Sequence, residues 1–202
     1  MNKFIISKNE HLRYNIQGFY NNEYHGGGNW RINGTIENIL TTLKNDITPH
    51  SNQALQVAVN HLKKILIEDF SKISNFVNSK NILVCVVPRA KVRYRQNQLL
   101  FKATVKEVVS NISNFYDGTD FIIRVKNTRT THRNRAGYGG DGDMPYPGIT
   151  KNTCHISNIK GKDILLIDDI YTKSINIDED IIQALFDNGA NSVIFYAVGK
   201  TV

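Results

Sequence analysis

Cysteine is scarce in this chain: Cys85 and Cys154 are its only two. Two thiols cannot complete a four-ligand zinc site, and the six histidines are scattered without metal-ligand spacing. Both thiols are therefore expected to be structural. Long apolar runs are lacking too. No stretch approaches the roughly 18 residues of a membrane-spanning helix, and the apolar part of the opening MNKFIISKNE is too short for a secretory signal. The expected location is cytoplasmic, with no membrane partner. Internal repeats and strongly low-complexity tracts are absent as well.

What is present suits one core with a small elaboration. At 202 residues, with 41% hydrophobic and 21% charged side chains, the composition is that of an ordinary globular protein. The net charge of +7 is unevenly spread: residues 86–135 hold eleven Lys or Arg against three acids, so this segment nets +8 and the remainder −1. A basic concentration of this kind points to an anionic partner, either nucleic acid or a small phosphorylated ligand, unless it is a solvated face.

From Ser51 onward the pattern alternates. Ser51 can cap a helix whose apolar residues recur through Phe76, and ILVCVVP (82–88) is a continuous apolar run that fits a strand buried on both faces. A second helical pattern runs from Leu99 to Ile112, and FIIRV (121–125) reads as a short strand. Then come a strand at Asp163–Asp168, a helix beginning near Ile177 or Asp178 with Gly189 as its stop, and a strand at Ser192–Val198. This order predicts an α/β core over residues 51–202 with a largely parallel sheet flanked by helices. Residues 1–50, rich in Asn, Gly and Tyr, are expected to be an appendage. Residues 126–150 carry no apolar periodicity and several glycines and prolines, the signature of a functional or disordered loop.

The stretch ILLIDDIYTKSIN (164–176) concentrates the chemistry. In a parallel sheet, ligands bind beyond the carboxyl ends of the strands, which is where Asp168 and Asp169 fall if Ile164–Ile167 is a strand. The following segment leads into a helix N-terminus, a natural phosphate site. Two carboxylates beside a phosphate loop suit a sugar phosphate, because carboxylates accept hydrogen bonds from vicinal hydroxyls while loop amides, Thr172, Ser174 and Asn176 cover the phosphate. The plainer reading of paired Asp residues is a turn with a helix cap.

ILLIDDIYTKSIN resembles the phosphoribosyl pyrophosphate motif of type I phosphoribosyltransferases, in which an aliphatic strand ends in two acids and a Thr/Gly-rich loop. VVPRAKVRYRQNQLL (86–100), RVKNTRTTHRNRAG (124–137), GKDILLIDD (161–169) and NGANSVIFYAVGKT (188–201) resemble, in order, blocks of the ComF-like, competence-associated branch, so the likeness covers residues 81–202. It implies that Asp168 and Asp169 hold the ribose hydroxyls and that Tyr171, Thr172, Lys173, Ser174, Ile175 and Asn176 cradle the 5′-phosphate. It implies further that the loop Pro88–Arg89–Ala90–Lys91 lies against the pyrophosphate, that Mg²⁺ bridges ligand oxygens and that residues 126–150 close over the site. Arg133 and Arg135 are candidate lid contacts, and Asp141 and Asp143 could approach Mg²⁺. The implied reaction displaces pyrophosphate from phosphoribosyl pyrophosphate by an unidentified nitrogenous acceptor.

Departures from the family pattern shape the remaining expectations. Ser174 stands where the family usually has glycine, at a cost on the order of 1 kcal/mol if positive φ is required there. The cysteine-rich zinc module that often precedes ComF-like domains is absent. With the sequence ending soon after the last strand, a hood over the acceptor is expected from residues 1–50, where Tyr20, Tyr24 and Trp30 offer either a stacking platform or packing onto the core. A homodimer is expected by analogy. The alternative function on the same fold is a non-catalytic sensor of phosphoribosyl pyrophosphate or a nucleotide, or a nucleic-acid-associated accessory in DNA uptake or phage defence acting through residues 86–135.

Overall fold

The aliphatic run before the acid pair forms the middle of a six-stranded sheet. The computed structural model describes residues 1–47, 49–77, 81–130, 142–144, 146 and 152–202. Across the sheet the strands lie in the order β1 (Asn2–Ile6), β2 (Ile16–Tyr24), β8 (Ser192–Thr201), β7 (Asp163–Tyr171), β3 (Ile82–Val86) and β4 (Phe115–Asp117). All neighbours run parallel except β1 and β2.

Because successive strand residues point to opposite faces, the apolar runs feed two separate cores. On one face Val84, Val86, Leu165, Ile167, Tyr196 and Val198 pack with the helices α1 (Ile36–Lys44), α2 (Asn52–Phe76) and α3 (Leu100–Val109). On the other, Leu83, Cys85, Ile164, Leu166, Phe195 and Ala197 pack with α4 (Ile177–Asp187). The molecule is thus the expected α/β arrangement, a mostly parallel sheet flanked by helices. Ser51 caps α2 as read from the sequence, its hydroxyl accepting from the Ala54 N–H at 3.2 Å. Gly189 ends α4 at φ 90°, which only glycine adopts cheaply. Cys85 and Cys154 are buried free thiols, and burial, reinforced by Asp117, pushes Cys85 up to about 12. Among the described residues no helix is long and apolar enough to cross a membrane.

Three expectations change. Residues 2–24 are not an appendage: β2 pairs with β8 over Gly18–Tyr24 and extends the central sheet. Buried Asp69 of α2 fastens it there, accepting from Asn21 Nδ2 at 2.7 Å and from the Tyr196 hydroxyl of β8 at 2.9 Å. Residues 121–125 give a strand, β5 (Ile122–Arg124), but it pairs antiparallel with β6 (Cys154–Ile156) in a separate two-stranded sheet. The edge place beside β3 goes to β4, whose single buried residue, Phe115, packs on Phe70 with ring centroids 5.4 Å apart. Lastly, β7 does not end at Asp168 but continues to Tyr171, because β8 runs alongside to Thr201.

Candidate functional site

The extension of β7 decides what the two carboxylates face. β3 stops pairing at Val86 opposite Ile167, with one further bond from the Val87 N–H, whereas β8 stays paired through Tyr171. From Asp168 onward, therefore, no described strand pairs with that edge of β7. A cavity of about 300 Å³ lies there, walled by Asp168 and Asp169, by Lys44 of α1 and by the Pro88–Lys91 loop. Strand alternation then sends the adjacent acids to opposite faces, Asp169 toward α1 and Asp168 toward α4.

Each acid meets a different partner. The Asp169 carboxylate takes the Lys44 ammonium at 2.7 Å. Burial alone would lower the Lys44 ammonium, but Asp169 and, behind it, Asp168 hold it above its ordinary value. Asp168 accepts the Asp169 N–H at 2.7 Å and lies against Asp178 in the first turn of α4. Burial, and next the neighbouring Asp169 charge, pushes Asp168 up to about 8. The Asp178 carboxyl is raised well above the carboxylate range by burial and by Asp168, and its Oδ1 is buried without a hydrogen-bond partner. Next to it Glu179, also raised by burial, accepts from the Tyr171 hydroxyl at 2.9 Å. One ammonium thus serves a buried group of carboxyls, and burial raises the others above their ordinary values.

The opposite wall is built by Arg124, a residue that sequence reasoning passed over. Its guanidinium, only 6% exposed, donates to the Arg89 carbonyl at 3.0 Å, the Pro88 carbonyl at 3.2 Å and Thr153 Oγ1 at 2.6 Å. This fork fixes the Pro88–Lys91 loop. Arg89 lines the cavity, yet its own guanidinium is engaged by Asp46 at 2.6 Å, by the Lys44 carbonyl at 3.1 Å and by the Gln98 carbonyl, and it stacks on Tyr94. Lys91 Nζ donates to the Thr128 carbonyl at 2.8 Å, and the Ala90 carbonyl accepts the Thr128 N–H at the same distance.

Among the expected site residues, then, Asp168, Asp169, Arg89, Ala90 and Lys91 meet at one cavity, whereas residues 171–176 lie outside its wall. The Tyr171 ring is buried between Phe4 and Phe195. Thr172, Lys173, Ser174, Ile175 and Asn176 form the turn into α4, closed by the Ile175 N–H on the Thr172 carbonyl at 2.9 Å. Ser174 does not adopt positive φ, so the strain foreseen for serine at a glycine position does not arise. Asn176 caps α4 without a side-chain bond to the helix and instead accepts from Asn9 Nδ2 at 3.0 Å.

Several basic groups of residues 86–135 are neutralised within the fold. Lys102 and Lys106 pair with Asp120, Lys106 also with Asp117, Lys126 with Asp143, and Arg89 with Asp46. Asp143 is thereby committed to Lys126. Arg133, Arg135 and Asp141 lie outside the described residues, as do most of residues 131–150. Trp30 is 43% exposed beside Arg31, Tyr20 packs edge-on against Phe4, and Tyr24 fills the space left by Gly199, where a Cβ would come within 3.2 Å of its ring.

Lys44 and Asp178 also escaped sequence reading. The ion pair from Lys44 to Asp169 spans most of the chain and leaves no local pattern. Asp178 reads as an ordinary acid in a helix's first turn. The class defined so far is an α/β protein with an acid pair on a central strand. No family model matches the chain, and no curated protein is significantly similar to it.

Proposed function

We propose that this protein is a phosphoribosyltransferase of type I, ComF-like character that takes phosphoribosyl pyrophosphate and a nitrogenous acceptor and releases pyrophosphate. The observation that carries the reading is the acid pair on β7 past its pairing with β3, sharing a cavity of about 300 Å³ with the Pro88–Lys91 loop. Two unlike carboxyls suit a vicinal diol. Asp169, paired with Lys44, can only accept, whereas Asp168, held up at about 8, carries a proton at neutral pH and can donate as well.

Among the described residues no three or more His, Cys, Asp or Glu side chains form a group able to hold a metal ion. In this reading Mg²⁺ enters on the ligand's own oxygens, with Asp169 in the cavity wall able to approach it. Bound there, it would supply positive charge against the departing pyrophosphate. The chain's own residues do the rest. The carboxyls orient the ribose, the loop fixed by Arg124 faces the leaving group, and the apolar wall of Leu40 and Leu43 limits water around a cationic sugar.

The test is pyrophosphate release from phosphoribosyl pyrophosphate and Mg²⁺ over a panel of purine, pyrimidine and amine acceptors. Release that disappears in Asp168→Asn/Asp169→Asn supports the proposal; no release with any acceptor counts against catalysis. A non-catalytic sensor of phosphoribosyl pyrophosphate or a nucleotide is the second reading, favoured by the ion pair that closes Asp169 in the ligand-free chain. It predicts ligand binding without turnover. A nucleic-acid partner reached through residues 86–135 would show binding that falls steeply with salt.

A further inference from the structure

Lys44 is the one cation within ion-pair distance of the acid pair among the described residues. It ends α1, where a positive charge is favoured by the helix dipole, and the αL turn at Asn45 (φ 49°) follows it directly. Its side chain is 25% exposed and that of Asp169 22%, so both groups can be reached from the cavity they line. Its backbone is held independently of the ion pair. The Lys44 carbonyl accepts from Arg89, Asp46 binds the same guanidinium, and Gln98 Nε2 donates to the Asn45 carbonyl at 3.3 Å. A flexible ammonium is thus anchored on a rigid turn between the acid pair and the Pro88–Lys91 loop.

A ligand hydroxyl that takes Asp169 Oδ2, the oxygen the ammonium holds, competes with the ammonium for it. A neutral sugar would leave the ammonium without a counter-charge in a partly buried wall, which is unfavourable. A sugar carrying phosphate or pyrophosphate brings the missing anion with it. We propose that Lys44 is an exchangeable counter-ion that pairs with Asp169 in the empty protein and passes to the ligand's phosphate groups on binding, so that the pocket accepts phosphorylated sugars and rejects neutral ones. This rests on the sugar-phosphate reading of the pocket and assigns to residues 1–50 a contact that selects the ligand class.

Titration calorimetry of phosphoribosyl pyrophosphate with Mg²⁺, ribose 5-phosphate and ribose into the wild type, Lys44→Met and Lys44→Arg tests it. Lys44→Met should bind the phosphorylated ligands about 10- to 100-fold more weakly, the range for one charge-assisted contact, with ribose binding no weaker than in the wild type. Lys44→Arg should recover most of the loss. Because Lys44→Met strips the counter-ion from Asp169 and could unfold the chain, a second readout uses the intact sequence with ¹³C-dimethylated lysines, the Lys44 signal being identified by its loss in Lys44→Arg. That signal should move when phosphoribosyl pyrophosphate binds and stay in place with ribose. Undiminished or tighter binding by Lys44→Met, or a Lys44 signal unmoved by a ligand that does bind, overturns the exchange alone. A folded wild type that binds neither phosphorylated ligand overturns the exchange together with the functional reading.

Discussion

Replacing Arg124 by Met should destabilise the protein by about 3 kcal/mol, and replacing it by Lys should be no milder. The guanidinium makes three side-chain hydrogen bonds, to the carbonyls of Pro88 and Arg89 and to Thr153 Oγ1. No carboxylate among the described residues lies within salt-bridge distance of it, and burial lowers its pKa. Hydrogen bonds from a charged donor contribute roughly 1.5–3 kcal/mol each, a gross loss of about 4–9 kcal/mol. Against that, Met no longer buries a charge, which relieves a penalty of several kcal/mol. The remainder is dominated by three acceptors left without their donor, at about 1 kcal/mol apiece. Lysine keeps the buried charge but offers a point instead of a planar fork, so it satisfies fewer acceptors for the same desolvation. Urea unfolding monitored by circular dichroism reads both variants. A loss below about 0.5 kcal/mol for Arg124→Met, within the range of an ordinary surface substitution, would refute the claim that this side chain fixes the Pro88–Lys91 loop.

Raising the pH should weaken the fold through Asp168. Its folded value is held up to about 8, above the unfolded value near 4, so the native state carries the extra proton between those limits and stability falls as pH rises through that window. Asp178→Asn removes a second buried carboxyl, itself raised well above the carboxylate range by burial and by Asp168, so the drop in urea stability between pH 5 and pH 8 should shrink; equal drops in variant and wild type would contradict a titration carried by this pair of acids. Gly118→Ala should cost about 1–3 kcal/mol by overpacking, since a Cβ there would lie 2.8 Å from Leu83 Cγ, and an unchanged melting temperature would show that the sheet yields at this point.

The parts of the fold with strong period were legible in the sequence. The cap at Ser51, the buried run 82–86, the helix stop at Gly189 and the acids beside the aliphatic strand follow from local chemistry alone. β2 was not legible because Gly18 stands at an inward position where alternation asks for an apolar side chain. The Phe4 ring of β1 fills that place, and a Cβ on residue 18 would come within 2.5 Å of it. The site was legible by half. Period-two alternation, carried one residue further, would have put Asp168 and Asp169 on opposite faces; assuming the strand ended at Asp168 hid this. Lys44 and Arg124 act through contacts made only once the sheet has formed, 125 and 29 positions along the chain from Asp169 and Thr153.

The central claim is that the acid pair of β7 binds a phosphorylated ribose. It is tested most directly by calorimetric titration of phosphoribosyl pyrophosphate with Mg²⁺ into the wild type and into Asp168→Asn/Asp169→Asn, with circular dichroism confirming that both are folded. The account predicts saturable binding by the wild type and none by the double variant. Equal binding by both proteins, or none by the folded wild type, would contradict it.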